Sequence, residues 1–239
     1  MTAPKFKKLS ILMAAYNEEE TLRTCVAAVL AAPIPAGIER ELVIVEDGSK
    51  DDTWEVMEGI AKENPGLVKI FRQPENMGKG AAIRRAIAEM TGDLAIFQDA
   101  DLEYDPNEYP KILAPILDGR ADVVFGSRFA GAERKVLLFW HTVVNKMLTL
   151  LSNMLNDTNW TDMETCYKAF TAASLKSIPL FSNRFGIEPE ITAKLFKRGA
   201  RVYEVPITYE GRDYSEGKKI TWRDGFPALW ALIKFRFVD

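Results

Sequence analysis

Apolar and polar positions follow two rhythms in the first half of the chain, and their alternation predicts its architecture. Residues 9–15 form a short apolar run of strand length. Asn17, with Glu20 three residues on, makes a capping-box pattern ahead of a helix whose Leu22, Val26, Val29 and Leu30 share one stripe. Strand-like runs follow at 41–45, 67–71, 94–98 and 122–125. Between them the pattern predicts three helices: one capped by Asp51 or Asp52 and ending at Ala61, one over 78–90 entered through glycines, and one over 107–117. Strands alternating with helices predict parallel pairing, hence an α/β fold with a doubly wound, mostly parallel sheet.

Beyond Arg128 the rhythm changes. Residues 136–156 read as one long helix with polar positions 142, 145, 149, 152 and 156 on one face. The opposite face is wide and apolar, with Leu138, Phe139, Val143, Met147, Leu150, Leu151 and Met154. Such a face packs on a sheet or lies at a membrane interface. The C-terminal segment repeats the choice, with Phe226, Leu229, Trp230, Leu232, Ile233, Phe235 and Phe237 beside Lys234 and Arg236. Placed at the surface, the two segments predict one patch, flanked by Arg134, Lys135, Lys234 and Arg236. No run reaches the roughly 20 apolar residues that span a bilayer, and the nearest, 136–155, is broken by His141, Asn145, Lys146, Ser152 and Asn153.

Composition narrows the class. A chain of 239 residues that is 47% apolar and 27% charged suits a single soluble domain. Its formal net charge of -3 argues against a nucleic-acid binder. Cys25 and Cys166 are far apart in sequence and are expected as reduced thiols in a cytosolic protein. The N-terminal residues lead into a strand and not into a signal-peptide core.

Candidate chemistry falls at the predicted strand ends. After the first come Tyr16 and Glu18, an aromatic face and a carboxylate for a base or ribose. After the second, Glu46-Asp47-Gly48-Ser49 is an acidic turn. After the third, Gly78-Lys79-Gly80 opens a helix, where backbone N–H groups and an ammonium can meet phosphate. After the fourth come Asp99 and Asp101; in extended backbone they would share one side and aim at one point, as a hard oxygen site for Mg²⁺ or Mn²⁺.

Together these pieces resemble an inverting family-2 glycosyltransferase of the GT-A fold, closest to the dolichyl- or polyprenyl-phosphate sugar synthases. The matching motifs are Ala-Tyr-Asn-Glu (15–18), Glu-Asp-Gly-Ser-Lys-Asp (46–51), Asn-x-Gly-Lys-Gly (76–80), Asp-Ala-Asp (99–101), Gly-Ser-Arg (126–128) and Gly-Arg-x-Tyr-x-Glu-Gly-Lys-Lys-Ile (211–220). The resemblance implies one GT-A domain over 1–239: a nucleotide-sugar and metal half to 128, then an acceptor half with interface helices and a flexible loop at 211–221. It implies that Tyr16, Glu18 and Asp47 hold the nucleoside, with Ala14 and Ala100 against the substrate. Asp99, Asp101 and Glu103 would carry the metal, with Asp101 and Arg128 in the catalytic set. Arg128, Arg212 and Lys218 would neutralise phosphates. The expected reaction moves a hexose from a donor of the GDP-mannose or UDP-glucose type to a polyprenyl phosphate, by a peripheral enzyme on the cytoplasmic membrane face.

Two departures from the family pattern stand out: Ala14 replaces a usual proline, and Leu137 and His141 occupy places where the synthases often carry Arg and Ser. His141 reads either as a satisfied, partly buried histidine or, beside Trp140, as a donor to the acceptor phosphate. An acceptor hydroxyl would instead need a general base, for which Asp162 and Glu164 are the candidates. A sugar-nucleotide pyrophosphorylase is disfavoured, since it would need a glycine-rich loop with Thr and Arg where this chain has Ala-Tyr-Asn-Glu.

Overall fold

The computed structural model describes residues 6–131, 135, 139–211 and 225–238, apart from the side chain of Phe226. The expected alternation is present. The elements run β1 (Lys8–Ala15), α1 (Leu22–Ala31), β2 (Glu39–Glu46), α2 (Thr53–Glu63), β3 (Val68–Arg72), α3 (Lys79–Glu89) and β4 (Leu94–Phe97). Then come α4 (Tyr109–Leu117), β5 (Val123–Ser127), α5 (Phe139–Asn156), β6 (Lys168–Thr171), α6 (Ala172–Lys176), α7 (Ile187–Lys197), β7 (Val202–Pro206) and α8 (Gly225–Phe237).

Seven strands form one sheet in the order β3-β2-β1-β4-β6-β5-β7. All neighbours are parallel except β6, which runs antiparallel to β4 and β5. The apolar runs of β1, β2 and β4 are buried because they lie at or near the sheet's centre, and they form the middle of the core. β1 pairs with β2 on one side and β4 on the other, so the strand order reverses there and opens a crevice at their C-terminal ends.

The reversed strand also matters for function. Because β6 points the other way, the segment leading into it (161–167) starts at the edge where the parallel strands end. β6, α6, α7 and β7 were not expected from sequence.

Two local expectations are corrected. Asn17 does not cap α1, which starts at Leu22 after an uncapped Thr21. Instead Asn17 takes a positive φ of 52°; its Oδ1 accepts the Lys50 N–H and its own N–H donates to Ser49 Oγ. It ties together the loops after β1 and β2.

α5 is also turned over relative to sheet packing. Its buried residues are Leu148, Thr149, Ser152 and Asn156, while Phe139, Trp140, Met147, Leu150 and Met154 are exposed. The cause lies beneath it, where an irregular segment needs hydrogen-bond partners more than apolar cover. Thr149 Oγ1 accepts the Met163 N–H, and Asn153 accepts the Trp160 N–H while donating to the Trp160 carbonyl. A small apolar cluster of Leu148, Met163, Ala228 and Leu232 joins α5 to α8. α8 in turn exposes Trp230, Ile233 and Phe237. Among the described residues, no helix is long and apolar enough to cross a membrane.

Candidate active site

The C-terminal ends of β1, β2, β4 and β5 carry the site, and the lead-in to β6 joins them. Tyr16 and Glu18 follow β1, half-buried; Glu18 accepts the Thr21 hydroxyl at 2.6 Å. Ala14 sits on β1 opposite Val45, and Ala100 is buried. Asp47, after β2, is nearly covered. Its oxygens accept the N–H groups of Met77 at 2.9 Å and Gly78 at 2.8 Å, so it shapes the turn into α3. Burial pushes its carboxyl up, against those bonds.

The glycines of this turn also serve packing. Gly78 has a φ of 97°, and a Cβ there would overlap the carbonyl oxygen of Asn183; a Cβ at Gly80 would overlap that of Ser182. The Ala81 N–H donates to Asn183 O at 3.1 Å, and Arg84 donates to Ser182 O at 2.9 Å. The start of α3 is therefore docked by the 182–184 strap, whose close approach needs the glycines. Lys79 extends instead to Asp99, with Nζ 2.6 Å from Oδ1.

Asp99 and Asp101 both lie beyond the end of β4, each with protein partners of its own. β4 ends at Phe97, so the period-two alternation of a strand no longer applies two residues later. Asp99 Oδ1 accepts from Lys79 and from the Cys166 thiol at 2.9 Å, while the Cys25 thiol donates to its carbonyl at 3.4 Å. Burial pushes the Asp99 carboxyl up, but the Lys79 ammonium outweighs it and holds the group below the usual carboxylate range. Asp101 Oδ1 accepts the Glu103 N–H at 3.1 Å, and Glu103 Oε2 accepts the Tyr209 hydroxyl at 2.6 Å. No three His, Cys, Asp or Glu side chains converge on a metal position among the described residues. Asp101 and Glu103 place two carboxylates in one short turn, hard oxygen donors of the kind a small divalent cation takes.

Arg128 and Asp162 are brought together. Arg128 Nε lies 2.6 Å from Asp162 Oδ2 and Nη2 2.7 Å from Oδ1, and the Arg128 backbone N–H adds a third bond. Burial opposes the Arg128 charge, but the Asp162 carboxylate outweighs it and raises the guanidinium pKa. Glu204 anchors the arrangement by accepting the N–H groups of Thr161 and Asp162, both at 3.0 Å. With both oxygens bound, Asp162 is an orienting group and poorly placed to take a proton.

Glu164 differs. Its Oε1 is buried without a hydrogen-bond partner among the described residues. Burial, with Glu188 nearby, pushes its carboxyl up to about 7 against the pull of Lys168 and Arg128. Lys168 is itself buried in a bond to Glu188. His141 lies half-buried in the first turn of α5. Arg134, Leu137, Arg212, Lys218 and all of the 211–221 loop except Gly211 lie outside the described residues. Sequence reasoning missed Cys166 and Tyr209; a cysteine beside the Asp162–Glu164 pair was visible, but nothing in the spacing linked it to Asp99.

A sheet edge built this way, with polar groups gathered where the strand order reverses, has the architecture of the GT-A fold. The glycosyl transferase family 2 model matches residues 10–178, and the chain belongs to that family. It is 28% identical over 216 residues to a dolichol-phosphate mannosyltransferase of Pyrococcus furiosus, covering 88% of this chain and 59% of that protein. It is 31% identical to the glycosyltransferase AglJ of Haloferax volcanii, over 90% of this chain and 67% of the other. It is 28% identical to an undecaprenyl-phosphate 4-deoxy-4-formamido-L-arabinose transferase of Klebsiella pneumoniae, over 91% and 64%. The chain thus spans about three-fifths to two-thirds of these relatives. The fold is shared with glucosyl-3-phosphoglycerate synthase of Mycobacterium tuberculosis, in a crystal structure with Mn²⁺, uridine diphosphate and glucosyl-3-phosphoglycerate. There the TM-score is 0.74 at 20% identity, covering 98% of this chain and 81% of that one.

Proposed function

We propose that the chain transfers a hexose from a nucleotide sugar to a polyprenyl phosphate, with inversion, at the cytoplasmic face of a membrane. One observation carries this reading: α5 buries its polar stripe and exposes its apolar one, beside the exposed Trp230, Ile233 and Phe237 of α8. Aromatic side chains with Lys234 and Arg236 at the helix end suit the headgroup layer. The free buried cysteines suit a reducing compartment. Relatives named for dolichol phosphate and undecaprenyl phosphate support the acceptor class.

Tyr16 and Glu18 border the nucleoside, with Asp47 shaping the adjoining turn. Lys79 neutralises Asp99, so that carboxylate does not repel an incoming diphosphate. Asp101 and Glu103 would hold Mg²⁺ or Mn²⁺, which when bound supplies Lewis-acid charge to the diphosphate leaving group. Arg128, oriented by Asp162, faces the acceptor. A phosphate acceptor is anionic near neutral pH and attacks the anomeric carbon without a base; it needs only cations to position it.

The orphaned Oε1 of Glu164 favours a second reading, in which a hydroxyl acceptor loses its proton to that carboxylate. Asp162, locked to Arg128, no longer discriminates the two readings; Glu164 does. The test is transfer from GDP-mannose or UDP-glucose, with Mn²⁺, to farnesyl phosphate and to an alkyl glucoside, by wild type and Glu164→Gln. The proposed function expects transfer to farnesyl phosphate that survives the substitution. Transfer only to the glucoside, abolished by the substitution, moves the conclusion to the second reading. Failure to co-float with anionic liposomes at low salt, by a protein active on a water-soluble acceptor, overturns the membrane assignment.

A further inference from the structure

The exposed stripe of α5 contains one cation at its inner border. Lys146 is exposed, lies at helical spacing from Val143 and Leu150, and adjoins Met147. Among the described residues it pairs with no carboxylate; its contact is with the ring of Phe129, Nζ standing 5.8 Å from the centroid. The Arg128 guanidinium stands over the same ring, also at 5.8 Å. Phe129 thus meets a cation from the reaction site and a cation from the apolar helix. Arg128 gives Nε and Nη2 to Asp162, and Nη1 takes no part in those bonds.

We infer that Lys146 is a positioning residue for the acceptor, receiving the phosphate of a prenyl phosphate together with Arg128 Nη1 beside the Phe129 ring. The geometry suits the task on both sides. A cation 5.8 Å from the centre of a half-buried ring is weakly held, so the exposed Lys146 is free to swing to an anion that outcompetes the π face. Arg128 is held rigid by Asp162 and Glu204, so it fixes where that anion stops. A prenyl tail leaving this point runs along Val143, Met147, Leu150 and Met154, which are already exposed. Phosphate at the border and apolar surface beyond it match the two ends of one amphiphile.

This inference rests on the lipid-phosphate reading, and one binding experiment separates the two. Affinities for farnesyl phosphate and farnesol are measured in detergent micelles by Trp fluorescence, for wild type, Lys146→Gln and Lys146→Arg. The ratio of the two affinities reports recognition of phosphate alone, and a merely structural lysine would not move it. The expected result is a wild-type preference for farnesyl phosphate that falls about tenfold in Lys146→Gln and is restored in Lys146→Arg. An unchanged preference in Lys146→Gln overturns this inference and leaves the proposed function standing. Equal wild-type affinity for both ligands overturns both.

Discussion

Replacing Glu164 by Gln should change how stability depends on pH, and the structure sets the size of the change. Burial pushes this carboxyl from an ordinary value of 4.5 to about 7, with Glu188 adding to the rise and Lys168 and Arg128 opposing it. Between those two values the unfolded chain has lost the proton and the folded chain has kept it. Stability from this group is therefore full below 4.5, falls as pH rises to 7, and stays at its lower level above. At ~1.36 kcal/mol per pH unit the upper bound is ~3 kcal/mol; Glu164 is only partly withdrawn from solvent, which trims it to ~2 kcal/mol. Glutamine keeps the shape and cannot ionise. Urea unfolding of both proteins at pH 5 and pH 8 is the assay. The variant should gain about 2 kcal/mol on the wild type between the two pH values. A stability difference that is the same at both would refute the reasoning, because the orphaned oxygen would then carry no charge to lose.

Asp162→Ala removes the partner of a buried guanidinium and should cost ~3–5 kcal/mol in stability, seen as a lower urea midpoint with an unchanged slope. Gly80→Ala should cost ~1–3 kcal/mol by forcing the strap off α3, with faster proteolysis between 180 and 186; wild-type resistance there would contradict the close approach. Glu41, fully buried at the opposite edge of the sheet, accepts from Ser10, Thr91, Lys8 and Lys69. Burial pushes its carboxyl up, but these partners outweigh it and hold it far below the usual range, so its contribution is present above pH ~4.3 and lost on acidification. Glu41→Gln should therefore destabilise by ~2–3 kcal/mol at pH 7 and much less at pH 3, measured by thermal unfolding.

Periodicity determined much of this protein on its own. Local apolar runs specify parallel strands, because a buried strand must be apolar on both faces, and the motif residues stand at strand ends because those runs stop there. The family was readable for the same reason: its signature lies in short, contiguous pieces. Tertiary structure decided which groups meet. Asp99 faces Lys79 and Cys166 because β4 ends two residues before it. Asp162 is consumed by Arg128, 34 residues away, because β6 runs backwards. The polarity of α5 was equally hidden. Its stripes were plain in the sequence, but which one faces inward depends on what lies beneath. Here that is a backbone needing hydrogen bonds, so the polar stripe went in and the apolar stripe was left outside.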